Sequence, residues 1–384
     1  MSSTSRPLKR TLERYPSALA TIERLITGEA YFEIFKQLSD NYSPSLTVTR
    51  VQGPLVDTII KQGAGEQRCI SVDRSLHHSG SIAVKVGDAR PALWLSAHAD
   101  ICSYLTSGWD GSGYPLTPFC MHRVTPGRRA AVALAAPEGE GPLERLAMGE
   151  MVTLESGEVR FECDRADLPL CTRVVHHLPA AWDRASDRMV GFIDNQAGSA
   201  AMLLAAQALS HFDASALFLL NDEEEGPVGP GGQGFSRAAN RLLHRTPLDE
   251  LPNYVVVTDG HGQEEALKRG TATLFGKGAA FTGVTSQARG GITPPQILAY
   301  TRAFAEALAP HGINLLDHDG YVGRSDDISA LQFTPNVSII GYPGAYAHFE
   351  KTPFSHVGDL VQLTKVLTLL ALVAQDSEWQ ARYL

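Results

Sequence analysis

Apolar positions fall three or four apart through the opening segment: Leu12, Tyr15, Leu19, Ile22 and Leu25 form one helical stripe, and Tyr31 to Leu38 carries a second. The period then changes. Leu46 to Val51 and Ser81 to Val86 alternate as half-buried strands, whereas Ala92 to Ala97 is a nearly unbroken apolar run that stops at polar His98. Such a run predicts a central strand buried on both faces. From Tyr104 to Ser186 the short pieces YPLTPFC, RAAVALA, MVTLES, EVRFEC and TRVVHHLP, separated by Gly, Pro and acidic turns, predict a small β domain.

After it an α/β rhythm resumes. Ala197 to Leu209, Pro294 to Leu308 and Val357 to Ala374 read as helices, set between the apolar runs Ala216 to Leu220, Tyr254 to Val257 and Val337 to Ile340. Thr293 before Pro294 predicts an N-cap and first turn for the second of these helices. The GPGGQG stretch from Gly229 to Gly234 lacks the GK[ST] of a phosphate loop and predicts a wide turn. Alternation of this kind implies a mixed or mostly parallel sheet covered by helices on both faces.

With 384 residues, 43% of them apolar, the chain can bury a large core as two domains or one domain carrying an insertion. A net charge of -9 without clustered Lys and Arg argues against a surface that tracks phosphates, so no nucleic acid is expected. Five cysteines with no CxxC pair suit a reducing compartment and read as ordinary buried thiols. No apolar run of about 18 residues is present and the first residues hold no signal-peptide core, so a cytoplasmic protein without membrane contact is expected.

In open α/β sheets chemistry gathers beyond the carboxyl ends of the strands. Read there, PALWLSA leads into His98 and Asp100, SALFLLND into Glu223, Glu224 and Glu225, NYVVVT into Asp259, and NVSIIGYPGAYA into His348. Asp194 precedes the Ala-rich helix, where the helix dipole favours a carboxylate. Singly, each has a plainer reading: a hydrogen-bonded histidine, a helix cap, a solvated acidic face, a turn aspartate. Jointly they do not, because independent turn residues would not all be His, Asp or Glu at strand ends facing one crevice. Two divalent ions, about +4, balance Asp194, Glu224, Asp259 and a bridging hydroxide, about -4. Two imidazoles and three carboxylates suit zinc, with cobalt or manganese as substitutes.

Over most of its length the chain resembles the co-catalytic metallo-aminopeptidases, most closely the tetrahedral or glutamyl aminopeptidase family. Ala97-His98-Ala99-Asp100 matches the family's AHxD, and Asp194-Asn195-Gln196-Ala197-Gly198 its D[DN]xxG. Glu223-Glu224-Glu225-Gly226 matches EExG, Asp259 the strand-end aspartate, and Gly276-Lys277-Gly278 a later GKG turn. The resemblance implies a zinc-aminopeptidase-like α/β fold, a mixed sheet sandwiched by helices, in two catalytic parts, 1–103 and 187–384. Between them, 104–186 would be an inserted barrel-like β domain serving as lid and oligomerisation surface. It further implies that His98, Asp194 and Asp259 hold one metal and Asp194, Glu224 and His348 the other, with Asp194 bridging. Glu223 would be the general base, and Asp100 would accept the remaining ring N–H of His98. Peptides would be the substrates of a homo-oligomer, their free amine held by a metal or by Glu225 or Asp326.

The chain also departs from the pattern. Ile101 follows AHAD where the family has Glu, Glu225 replaces an apolar residue, and the HSP after the last ligand becomes His348-Phe349-Glu350-Lys351-Thr352-Pro353. His356, followed by VGD, is therefore an alternative last ligand. The same core would also serve a two-metal deacylase of N-acyl amino acids. An inactive relative acting as an assembly or binding platform would be expected to lack a base or a ligand.

Overall fold

The computed structural model describes residues 6–63, 69–123, 125–226, 236–285, 291–321 and 323–384; the GPGGQG stretch lies outside them. The long apolar runs stand side by side. Ala216–Asn221, Leu93–His98, Tyr254–Val257 and Val337–Ala345 are parallel neighbours, with Asn221 beside His98 and Val257 beside both Ser96 and Ile339. Their carboxyl ends therefore open on the same edge. Antiparallel strands extend this centre, Ile82–Val86 and Ile70–Asp73 on one side and Phe354–His356, Arg188–Val190 and Ala181–Asp183 on the other, and Gly260–Gly262, Ala279–Thr282 and Leu315–Asp317 complete a 12-stranded sheet.

Helices cover the sheet because their apolar faces have nowhere else to go. Ile193–Leu209 and Val357–Val373 are buried along nearly their whole length and pack on each other, and the first also packs on Gly28–Asp40. Among the described residues no single helix is long and apolar enough to cross a membrane. Asp359, in the first turn of Val357–Val373, accepts the N–H groups of Gly276 (2.8 Å) and Gly278 (2.7 Å). Those glycines have φ of 73° and 123°, a backbone that side chains disfavour, so the GKG turn is a hook for this helix.

The elements differ from the local pattern at three places. Val48–Val51 is a helical turn and not a strand, since Asp222 accepts the N–H groups of Leu46 and Val48. The first stripe is split at Pro16 into Arg6–Arg14 and Ala18–Leu25. The expected cap Thr293 instead points its hydroxyl at the Thr282 carbonyl, and the helix starts at Pro295.

The β domain is a closed six-stranded barrel. Its order is Tyr104–Thr106, Tyr114–Pro118, Val159–Cys163, Arg145–Thr153, Gly127–Leu134, Arg173–His176. Closure leaves no unpaired edge. Tyr104, Tyr114, Met151, Phe161 and Val174 fill it. The barrel ends sooner than residue 186, because Ala181–Asp183 and Arg188–Val190 pair back onto the large sheet. Ile101, Val132, Val175, Phe192 and Phe349 form the apolar seam between barrel and sheet. All five cysteines are free, but only Cys102 and Cys120 are buried; Cys163 is half-buried and Cys69 and Cys171 are exposed.

Candidate metal centre

His98 ends its strand fully buried, and its Nε2 lies 3.0 Å from Asp194 Oδ1, 3.7 Å from Glu224 Oε2 and 3.9 Å from Asp259 Oδ2. Asp194 is not a simple helix cap. Its φ and ψ of -92° and 104° are non-helical, and the peptide to Asn195 is cis. Asn195 then ties this corner to its neighbours: its Nδ2 donates to the Thr258 carbonyl (2.7 Å), and its Oδ1 accepts the Tyr342 hydroxyl (2.9 Å). Asp194 is thereby fixed against the strand end that carries Asp259. Gly341 allows the last strand to come this close, since a Cβ there would sit 1.7 Å from the Asp259 carbonyl oxygen.

The acidic run after Asn221 is not a solvated face. Asp222 accepts three backbone N–H groups, from Leu46, Val48 and Glu223. Glu223 has a left-handed φ of 63°, which resets the direction of the chain, and its carboxylate is taken up by the Arg241 guanidinium. Glu223, the expected general base, is not among the carboxylates that approach His98, and Arg241 occupies its carboxylate. Glu224 and Glu225 turn inward instead. Asp100 sets them, accepting the N–H groups of Glu224 (3.2 Å) and Glu225 (3.1 Å) together with the Ser45 hydroxyl (2.6 Å). His98 Nδ1 is 3.3 Å from the Asp100 carbonyl oxygen and 3.5 Å from its carboxylate, so the expected partner is present but its backbone is the nearer acceptor.

His348 lies across the crevice. Its Nε2 is 4.0 Å from Asp194 Oδ2, and its Nδ1 is 3.9 Å from Glu225 Oε2 and 3.4 Å from Cys102 Sγ. Asp194 thus stands between two donor groups, His98 with Asp259 and His348 with Glu225 and Cys102. His356 is stacked on Phe275, at the end of the strand that lies between Val337–Ala345 and Arg188–Val190. Asp326, an expected amine anchor, is occupied by Ser96, Asn221 and Ser236. The sequence offers Glu225 only as an amine anchor and Cys102 only as an ordinary buried thiol, yet both lie against His348. No local signal marks which of three consecutive glutamates face inward when one left-handed residue changes the alternation.

The electrostatics are those of a pocket short of positive charge. Burial opposes a charged His98, yet Glu224, Asp100 and Asp194 outweigh it and hold its pKa well above the ordinary value. Burial pushes Glu224 and Glu225 well above the usual carboxylate range, with Asp194 adding to both. Burial and then Asp194 raise Asp259 to about 7. For Asp194, burial pushes up, but His98 and His348 pull harder and the net shift is downward. Glu225 Oε1 is buried with no hydrogen-bond partner. An orphaned carboxylate oxygen beside two imidazoles and further carboxylates fits divalent cations.

No protein-family profile and no curated protein matches the chain. Solved structures share its fold. An aminopeptidase from the archaeon Desulfurococcus kamchatkensis is 17% identical with a TM-score of 0.70, over 93% of this chain and 98% of that one. The TET aminopeptidase of a marine-sediment Thaumarchaeota archaeon is 14% identical with a TM-score of 0.72, over 93% and 99%. A TET1 peptidase from Pyrococcus horikoshii, described as assembling into a tetrahedron or a large octahedral shell, is 17% identical with a TM-score of 0.63, over 89% and 99%. At these identities the likeness is one of fold, and the fold is the one expected: a mixed sheet between helices with a small β-barrel.

Proposed function

We propose that the chain is a two-metal aminopeptidase that hydrolyses the N-terminal residue of peptides. The observation that carries the reading is the pair of donor groups meeting at Asp194, one buried against His98 and one against His348. His98, Asp194 and Asp259 would hold one ion, and Asp194, Glu225 and His348 the other, zinc being the best match to the donors and cobalt or manganese substitutes. The ligand expected at Glu224 moves to Glu225, and the base expected at Glu223 moves to Glu224. When bound, the ions lower the pKa of a water and polarise the scissile carbonyl.

Glu224 takes the proton from the attacking water and passes it to the departing amine. Burial equips it for this, because a carboxylate raised toward neutrality can both accept and return a proton. Asp100 keeps Glu224 and Glu225 on one rigid turn, and Asn195 keeps Asp194 in register with Asp259. Excess negative charge in the crevice attracts the free amine of a peptide, which an N-acylated substrate lacks.

Aminoacyl nitroanilides and N-acetyl amino acids, assayed side by side with elemental analysis before and after chelation, test this. About two ions per chain, and turnover of free-amine substrates that vanishes on chelation and returns with zinc or cobalt, is the expected result. Chelator-insensitive turnover, or turnover of the acetylated series alone, would overturn it. We also propose assembly through the barrel, where exposed Trp109, Met121, Met148, Leu154 and Leu170 lie. Light scattering would show a multiple of the chain mass, and a monomer at micromolar concentration would end that part.

A further inference from the structure

We propose that Cys102 is a sulfur ligand of the second ion, so that this position is held by Cys102, Glu225 and His348 Nδ1, with Asp194 4.0 Å from the other nitrogen of that ring. The inference rests on the two-metal reading above and concerns what distinguishes its two positions. Cys102 Sγ is 3.4 Å from His348 Nδ1, Glu225 Oε2 is 3.9 Å from the same nitrogen, and the three donors all fall within 4.8 Å of one another. Tetrahedral zinc bonds sulfur at about 2.3 Å and nitrogen at about 2.0 Å, which separates those two donors by roughly 3.5 Å. The sulfur and nitrogen already have that spacing.

Glu225 supplies an independent observation. Its Oε1 is unpartnered although the residue is only 5% exposed, a condition that a nearby cation relieves. The thiol and this carboxylate are held on one scaffold. Asp100, two residues before Cys102, accepts the Glu225 N–H, while the Ile101 N–H donates to the Ser43 carbonyl. Gly226, next to Glu225, is seated against the barrel at Phe119, where a Cβ would come within 1.9 Å of the carbonyl oxygen.

On ion entry the S–H proton leaves to solvent and the thiolate lone pair goes to the cation. One position then has a soft sulfur donor and the other only nitrogen and oxygen. Sulfur favours zinc and cobalt over manganese and magnesium, so the two positions should differ in metal preference.

The test uses metal-free full-length chain carrying Cys69→Ser and Cys171→Ser, which removes the exposed thiols, titrated with cobalt(II) and followed by absorption. Visible d–d bands report occupancy, and a near-ultraviolet thiolate-to-cobalt charge-transfer band reports the sulfur. We expect both in the parent, loss of the near-ultraviolet band alone in Cys102→Ser, and retention of both in Cys120→Ser. Visible bands without the near-ultraviolet band in the parent, or a band removed by Cys120→Ser and not by Cys102→Ser, overturn the sulfur ligand and leave the two-metal reading standing. Absence of any cobalt band overturns both. Should Cys102→Ser not fold, a parent band that Cys120→Ser retains supports the ligand, and one that Cys120→Ser removes overturns it.

Discussion

The strand-end crevice and the barrel wall both carry many charges, yet they treat them in opposite ways. On the barrel, Arg128 reaches Glu150 and Glu162, Arg160 reaches Asp110, and Arg165 reaches Asp167, all at the surface. In the crevice Asp100, Asp222, Glu223, Glu225 and Asp326 are each 5% exposed or less, and most are held by backbone N–H groups or hydroxyls. Water screens the first set, which makes its members nearly interchangeable. Burial fixes the second set, where each acid has one geometry and therefore one task.

The contrast is sharpest at Glu224, where Glu224→Gln keeps the shape and removes the proposed base. Turnover should fall by roughly 100- to 10,000-fold with the metal content unchanged, measured by steady-state kinetics and elemental analysis on the same sample. Loss of less than tenfold would take Glu224 out of the chemistry.

Second in size is the response of the metal-free chain to pH. Asp259 is raised to about 7, and Asp327 and Asp359 each to about 6, all chiefly by burial. Between the unfolded carboxylate pKa near 4 and these values, the folded chain binds protons that the unfolded chain has released. Stability therefore falls as pH rises through that window; His98, raised in the fold, continues the fall above its ordinary pKa, whereas Asp194, lowered, acts only below the window. Scanning calorimetry of chelated protein should show a melting temperature lower at about pH 8 than at about pH 5 by on the order of 5 °C. Zinc added at the higher pH should restore it, since binding to the folded state alone adds stability. A flat or rising profile without metal would mean that the crevice carries no excess of buried acid.

Legibility followed the same division between regions. The buried runs Ala92 to Ala97, Ala216 to Leu220, Tyr254 to Val257 and Val337 to Ile340 were readable because a strand covered on both faces leaves an unbroken apolar signature. His98, Asp259 and His348 stand out as polar residues beyond such runs, Asp194 stands at the start of the Ala-rich helix, and the four converge. Asp222 and Glu223 were not legible as structural acids, because their partners, the Leu46–Val48 turn and Arg241, are distant in the chain. Cys102 carries no local pattern, and only the packing of barrel against sheet brings it to His348.

Glu223 gives a third, smaller effect. Glu223→Gln should leave turnover within about threefold while destabilising the fold by about 1–3 kcal/mol, because Arg241 loses its charged partner in a mostly buried setting. Denaturant unfolding measures the second quantity, and a large loss of turnover at unchanged stability would return the base to Glu223.

Smallest of all is Arg128→Ala on the barrel. Its guanidinium bonds two carboxylates, Glu150 and Glu162, which by count resembles the crevice networks. About half of the side chain is exposed, however, as is Glu150, while Glu162 is about a third exposed, so solvent screens the attraction and hydrates whichever partner is left. The change should cost less than about 1 kcal/mol in denaturant unfolding and leave turnover unaltered. A loss comparable to that of Glu223→Gln would show that the barrel wall is covered in the working state, where exclusion of water gives a surface pair the weight of a buried one.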